Sequence, residues 1–252
     1  MNISEWSRPH FSKKGDVHVW QFDLSGVDGL NFKSVLSVDE IARSRKYRFE
    51  KDRECFIRSR GLLRWVLGFY LKSKAQDIVL SYTDQGKPHI SRAFLKSAPL
   101  YFNLSHSENI LLCAFSEGGE VGVDVEWVDV EVDWESVAEY FYALSEIQAL
   151  RALPREHQCK SFFQSWTHKE ALAKAQGGGE LFSRLLSPSV MPASETVWEI
   201  NQSKKLSAEG CEFESRALPV FPGFVAALSA KRDSEQIVLY DFSSGASKVI
   251  AF

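Results

Sequence analysis

Apolar residues recur along this chain in two periods, and the switches between them mark out its elements. Val17-His18-Val19-Trp20-Gln21-Phe22 alternates with period two and predicts a short strand. Ser37 to about Arg48 reads as a helix opened by Ser37 as N-cap, with Glu40 at the capping-box position. Residues 52–72 carry the strongest helical pattern. Phe56, Leu63, Leu67, Tyr70 and Leu71 share one face, Arg60 falls inside that face, and Arg53 and Arg64 lie beside it. Strand signals return at Ile78–Tyr82, Leu100–Leu104 and Ile110–Phe115, with a turn at Asp84-Gln85-Gly86-Lys87-Pro88.

Beyond Ser116-Glu117-Gly118-Gly119 an apolar/acidic alternation over 121–127 predicts another strand, which makes this turn the candidate domain junction. A helix pair over about 135–152 and 158–175 follows, stopped by Gly177-Gly178-Gly179. Residues 180–252 mix weak strands (Thr196–Asn201, Phe224–Ser229, Gln236–Asp241) with polar turns, and no internal sequence repeat is visible. The order of elements predicts an α+β protein with two similar halves, 1–118 and 119–252.

Composition narrows the class. The 252 residues are 44% hydrophobic and 25% charged, ordinary globular values, and a 13% aromatic content argues against extended disorder. A net charge of −3 is not the footprint of a general nucleic-acid binder, which needs a basic surface. Cys55, Cys113, Cys159 and Cys211 are far apart, with no CxxC spacing, and read as reduced core or helix cysteines. The N-terminal stretch lacks an apolar signal core and no run approaches 18 uncharged apolar residues, so no membrane association is expected and the cytoplasm is the simplest compartment.

The chemistry concentrates in two segments. Asp124 and Glu126, two apart in Gly122-Val123-Asp124-Val125-Glu126, project from one face of a strand. Taken alone, such an alternation is more often the solvated side of a half-buried strand. In the 159–174 helix, however, Glu170 shares a sector with Phe162, Phe163, Trp166 and Ala173. A carboxylate on an aromatic stripe needs a cation or a changed protonation state. An i,i+4 pair with Lys174 accounts for Lys174 but not for where Glu170 stands. Two strand carboxylates and one helix carboxylate suggest a divalent-cation site, and the nearby basic residues point to phosphoryl-type transfer. The same helical phase turns His168 away from Glu170 and predicts a surface position.

Other segments fit an anionic ligand. Ser105 and His106 are consecutive, so an extended chain sends them to opposite faces and they cannot be a nucleophile–base pair; no GxSxG elbow is present. Phe102-Asn103-Leu104-Ser105-His106-Ser107 reads equally as a polar turn or as a donor cluster for phosphate. Lys87 reads as an ordinary turn lysine. Arg60, a guanidinium on a core-facing stripe, is more telling. No GxxxxGK[ST] or GxGxxG occurs, so a nucleotide would be held without either phosphate loop.

Four pieces, Gly86-Lys87-Pro88, Phe102-Asn103-Leu104-Ser105-His106-Ser107, Gly122-Val123-Asp124-Val125-Glu126 and Trp166-x-x-Lys169-Glu170-Ala171-x-x-x-Lys174, in this order and spacing resemble the large, Sfp-type 4′-phosphopantetheinyl transferases. The resemblance is strongest over 84–175. It implies a pseudo-two-fold pair of α+β halves with the active site in the cleft between them. It also implies a monomer sufficient for one cleft, coenzyme A as donor and a serine of an apo acyl- or peptidyl-carrier protein as acceptor, with release of adenosine 3′,5′-bisphosphate.

By the same resemblance Asp124, Glu126 and Glu170 bind Mg²⁺. Glu170 is the candidate to take the serine proton, and Lys174 the candidate to neutralise the pyrophosphate. Lys87, Ser105 and His106 match positions on the 3′-phosphate and adenylate side, and Glu146 matches a further acid near the site. Among Arg43, Arg45, Lys46 and Arg48, Arg45 is the first candidate for the 3′-phosphate. Among Arg53, Arg58, Arg60 and Arg64, helical phase favours Arg60. The rival readings are a non-catalytic coenzyme A or carrier-binding module of the same fold, and a metal-dependent phosphoesterase.

Overall fold

The computed structural model describes residues 9–27, 30–84, 86–95, 99–177, 213–231, 234, 236–242 and 248–251. Its fold is mixed α+β, as the pattern predicts. A five-stranded sheet is built from β1 (Val17–Asp23), β4 (Tyr101–Ser107), β5 (Ile110–Ser116), β9 (Ile237–Asp241) and β10 (Lys248–Ala251), in the order β10-β9-β1-β5-β4. A three-stranded sheet has β6 (Gly122–Trp127), β8 (Phe224–Lys231) and β7 (Phe213–Ala217), in that order. The hairpin of β2 (Leu80–Tyr82) and β3 (Pro88–Ile90) stands apart. β1 pairs antiparallel with β5 and parallel with β9, so one sheet joins strands from both sides of the 118/119 turn.

Period-two alternation divides the interior in two. From β1, β5 and β9, the residues Trp20, Phe22, Leu111, Cys113, Phe115, Val238 and Tyr240 face a cluster shared with α2 (Glu50–Leu71), which contributes Phe56, Ile57, Leu63 and Leu67. The intervening residues Val17, Val19, Ile110, Leu112, Ala114, Ile237 and Leu239 face a second cluster. There they meet Val121, Val123 and Val125 of the acidic strand and Ala226, Leu228 and Ala230 of β8. With their valines committed to that core, Asp124 and Glu126 are turned to the opposite side.

α1 (Val38–Ser44) opens as expected. Ser37 accepts from the Glu40 amide and Glu40 accepts from the Ser37 amide, a reciprocal capping box. The same Glu40 carboxylate receives Arg64 Nε at 2.6 Å, deep in the interior, where Arg64 also donates to the carbonyls of Ala75 and Ile78.

The helix expected over 135–152 is two helices, α3 (Trp134–Phe141) and α4 (Leu144–Ala152). Tyr142 adopts an extended conformation, and Glu146 reaches back to accept the Ala143 amide at 2.9 Å, which starts a new helix. α5 (Arg155–Ala175) carries the remaining motif residues. β7 and β10 were not foreseen from the pattern, and the weak strand Thr196–Asn201 lies outside the described residues. Cys55, Cys113 and Cys159 are free thiols; Cys211 lies outside the described residues.

Candidate active site

One glycine brings the helix motif to the strand motif. A Cβ on Gly122 would collide with the Ala171 carbonyl oxygen and the Ala175 amide nitrogen of α5, so strand and helix backbones touch here. Glu170 and Lys174 are thereby held beside the acidic face of β6. Lys174 Nζ donates to Asp124 Oδ1 at 2.6 Å and to Ser105 Oγ at 3.1 Å.

β4 joins β6 through side chains. Asn103 Oδ1 accepts the Val123 amide at 3.0 Å, Ser105 Oγ donates to Asp124 Oδ1 at 2.8 Å, and Ser107 Oγ donates to Glu126 Oε2 at 3.1 Å. The every-second-residue spacing of Asn103, Ser105 and Ser107 therefore serves β6. The sequence reading of this stretch as a polar turn or donor cluster did not foresee that seam.

The three carboxylates influence one another. Burial pushes Glu126 up to about 7, and the Asp124 charge adds to the rise while the Ser107 hydroxyl opposes it. Burial likewise pushes Glu170 up to about 7, with Lys174 opposing and Asp124 reinforcing the rise. Asp124 is 2% exposed, and its Oδ2 has no hydrogen-bond partner among the described residues. An orphaned carboxylate oxygen within an all-oxygen donor set fits a hard divalent cation, which favours a few carboxylates plus phosphate oxygens and water. As they stand, no three His, Cys, Asp or Glu side chains form a ready-made ligand cluster among the described residues. Asp124 Oδ1 is engaged by Lys174 and Ser105, and one Glu126 oxygen by Ser107.

Alongside lies a cavity of about 510 Å³, walled by α2, the β2–β3 turn, β4 and Lys174. Arg60 lines it, 7% exposed, with Nη1 unpartnered among the described residues and its guanidinium over the rings of Phe56 and Tyr82. Desolvation lowers its pKa. Its neighbours are committed elsewhere: Arg64 to Glu40, Arg58 to the Leu24 carbonyl, and Arg53 to Glu50. Helical phase thus selected the arginine that faces the cavity. Ser59 also lines it, with its hydroxyl buried beside the Cys55 thiol. His106 borders the cavity, and its pKa is lowered by desolvation first and then by the Lys174 and Arg60 charges.

Lys87 lines the cavity too, but its ammonium is held by Glu120 and by the Lys174 carbonyl. Arg45 is exposed at the end of α1, outside the cavity wall; Arg43 is in that wall. Glu146 is buried, accepting Lys169 Nζ at 2.9 Å as well as the Ala143 amide. His168 is not at the surface. It is 1% exposed, with Nδ1 2.7 Å from Ser215 Oγ of β7, because α5 packs on the three-stranded sheet as well as on α3 and α4. Its sequence signal was masked because β7 was not recognised.

Comparison with known proteins is decisive at this point. Residues 120–225 match a family model described as the 4′-phosphopantetheinyl transferase superfamily, and residues 27–117 match one for the 4′-phosphopantetheinyl transferase N-terminal region. The chain is 39% identical over 166 residues to the 4′-phosphopantetheinyl transferase HetI of Nostoc sp., covering 65% of this chain and 70% of that protein. The chain belongs to the 4′-phosphopantetheinyl transferase family. It is also similar to the transferase AcpT of Salmonella typhimurium, 34% identical over 158 residues, or 62% of this chain and 74% of that one. The transferase Sfp of Bacillus subtilis is 28% identical over 156 residues, 62% and 66% of the two chains. An enzyme of this family therefore carries the paired motifs described above, and the boundary between its two family matches falls within the turn before β6. No helix among the described residues is long and apolar enough to cross a membrane.

Proposed function

We propose that this transferase moves the 4′-phosphopantetheine arm of coenzyme A to a serine of an apo acyl- or peptidyl-carrier protein, in a Mg²⁺-dependent reaction that releases adenosine 3′,5′-bisphosphate. The observation that carries this reading is the meeting of Asp124, Lys174 and Ser105 at the edge of a cavity whose wall holds Arg60, one guanidinium nitrogen of which has no partner among the described residues. A buried cation without a counter-ion suits a phosphate group that arrives with the donor.

The two halves, 1–118 and 119–252, each set a long helix against a sheet, which supports a pseudo-two-fold plan with the site in the cleft between α2 and α5. In this plan the last strands of the second half complete the sheet of the first. Arg60, Ser105 and His106 serve the nucleotide and phosphate end of coenzyme A, while Lys87 lines the same cavity with its ammonium engaged by Glu120 and the Lys174 carbonyl. Arg43, in the cavity wall, is a better candidate than Arg45 for the early-helix contact. Asp124, Glu126 and Glu170 would hold Mg²⁺, which when bound offsets negative charge on the pyrophosphate.

The remaining steps belong to the chain's own groups. The carrier serine oxygen attacks the phosphorus that bears the pantetheine arm, and the bond from that phosphorus to the bridging oxygen breaks. Glu170 accepts the serine proton, and Lys174 stabilises charge gathering on the departing nucleotide. Orientation and charge neutralisation do most of the catalytic work. A monomer suffices for one cleft, and the cytoplasm is the expected compartment.

Chromatography of the nucleotide products tests the reading. Adenosine 3′,5′-bisphosphate should appear only when coenzyme A, Mg²⁺ and an apo-carrier are all present. Phosphopantetheine freed without any carrier would identify a phosphoesterase instead.

A further inference from the structure

Lys87 stands on the turn between β2 and β3, and two of the three N–H groups of its ammonium are already spoken for. Nζ donates to Glu120 Oε2 at 2.7 Å and to the main-chain carbonyl of Lys174 at 2.9 Å, and only 11% of the side chain is exposed. Three segments distant in sequence meet at this one nitrogen: the 83–87 turn, the approach to β6, and the last turn of α5.

The turn presenting Lys87 is closed by its own backbone. The Gly86 amide donates to the Thr83 carbonyl at 2.8 Å, the Thr83 amide to the Lys87 carbonyl at 3.0 Å, and the Lys87 amide to Thr83 Oγ1 at 3.1 Å. Gly86, at φ 81°, occupies the left-handed region that permits this tight path. At the other end, the Lys174 carbonyl belongs to the final helical turn, whose acceptors cannot be satisfied within the helix and favour a cation. Besides Lys87, the Gln176 amide, shared with the Leu172 carbonyl, and the Gly177 amide, at 3.4 Å, donate weakly to it. From the same residue the Lys174 side chain runs to Asp124 Oδ1 and Ser105 Oγ. A shift of that carbonyl therefore shifts the ammonium proposed to face the leaving group.

We infer that Lys87 is a positioning residue: it clamps the end of α5 to the start of β6 and thereby fixes where the Lys174 ammonium stands over Asp124. It takes the place of a role as phosphate ligand, and it rests on the role proposed above for Lys174.

The test is steady-state transfer to an apo-carrier by Lys87→Met, Glu120→Gln and each combined with Lys174→Ala, with melting midpoints measured alongside. Misplacement of a catalytic group lowers kcat, whereas loss of a uniform binding contact raises KM. Lys87→Met should lower kcat about tenfold with KM for coenzyme A kept within about threefold. Glu120→Gln, which lines no part of the coenzyme A cavity, should lower kcat in the same sense by about threefold. In the Lys174→Ala background neither change should cost more than about twofold further.

A rise of about tenfold in KM with kcat retained in Lys87→Met would overturn the clamp in favour of direct phosphate binding. So would an undiminished loss in the Lys174→Ala background. Unchanged kcat in Lys174→Ala alone would remove the role of Lys174 and the clamp together, which separates the two failures. If Lys87→Met does not fold, Glu120→Gln in both backgrounds carries the same decision.

Discussion

Gly122→Ala adds one methyl group where β6 and α5 touch. The new Cβ would collide with the Ala171 carbonyl oxygen and the Ala175 amide nitrogen, and would stand 3.0 Å from the Lys174 carbonyl carbon. All three are backbone atoms, so no side-chain rotation relieves the contact. Carbon atoms pack at about 3.5–4.0 Å, so helix and strand must part by on the order of 1 Å.

Overpacking of this kind costs about 1–3 kcal/mol, which in a chain of this size lowers Tm by on the order of 5 °C. The functional loss should exceed the stability loss. Glu170 and Lys174 ride on α5 while Asp124 and Glu126 ride on β6, and a displacement of about 1 Å can cost on the order of a hundredfold in rate. Thermal unfolding by circular dichroism and mass-spectrometric transfer assays on the same preparation measure both effects. A Gly122→Ala protein with unaltered Tm and rate would refute the argument that this close approach sets the site.

Further expectations come from other named contacts. Arg64→Met leaves Glu40 buried without its counter-ion and should destabilise by about 3–5 kcal/mol in chemical denaturation. Arg60→Met should cost much less stability yet raise KM for coenzyme A by at least about tenfold, since its Nη1 has no partner to lose among the described residues. Glu126→Ala and Glu170→Ala should fold normally and lose most transfer activity; full activity in both would remove their assigned roles. His18 and His168 are both held near a pKa of about 4 by burial. Their neutral forms stabilise the fold fully above the unfolded value near 6.5, and this contribution is lost as pH falls toward 4. Each should reduce the folding equilibrium about tenfold per pH unit in that window, and His168→Gln should flatten the acid limb of a stability-versus-pH curve.

Legibility in the sequence followed local periodicity. β1, β5, β6 and α2 announced themselves because their apolar spacing is regular, whereas β4 reads as a strand only to Leu104 because its polar end, through Ser107, passes equally for a turn. Arg60 was identifiable from helical phase because the neighbouring turns of α2 are apolar on the same face. The break at Tyr142 was hidden, because it depends on Glu146 folding back to the Ala143 amide within an otherwise helical pattern. The burial of His168 was hidden because its partner face belongs to β7, forty-odd residues away and without a strong alternation of its own. The engagement of Lys87 with Glu120 and Lys174 is purely tertiary, so the turn alone reads as presenting an ordinary lysine and the resemblance suggests only a ligand contact.

The most direct measurement is the intact mass of an apo-carrier protein after incubation with coenzyme A and this enzyme, with Mg²⁺ or with a chelator. The account predicts addition of one phosphopantetheine arm to the carrier with Mg²⁺, none with the chelator, and little with Glu126→Ala or Glu170→Ala. An unmodified carrier under the complete conditions, across a panel of acyl- and peptidyl-carriers, would contradict it, as would full modification by both variants.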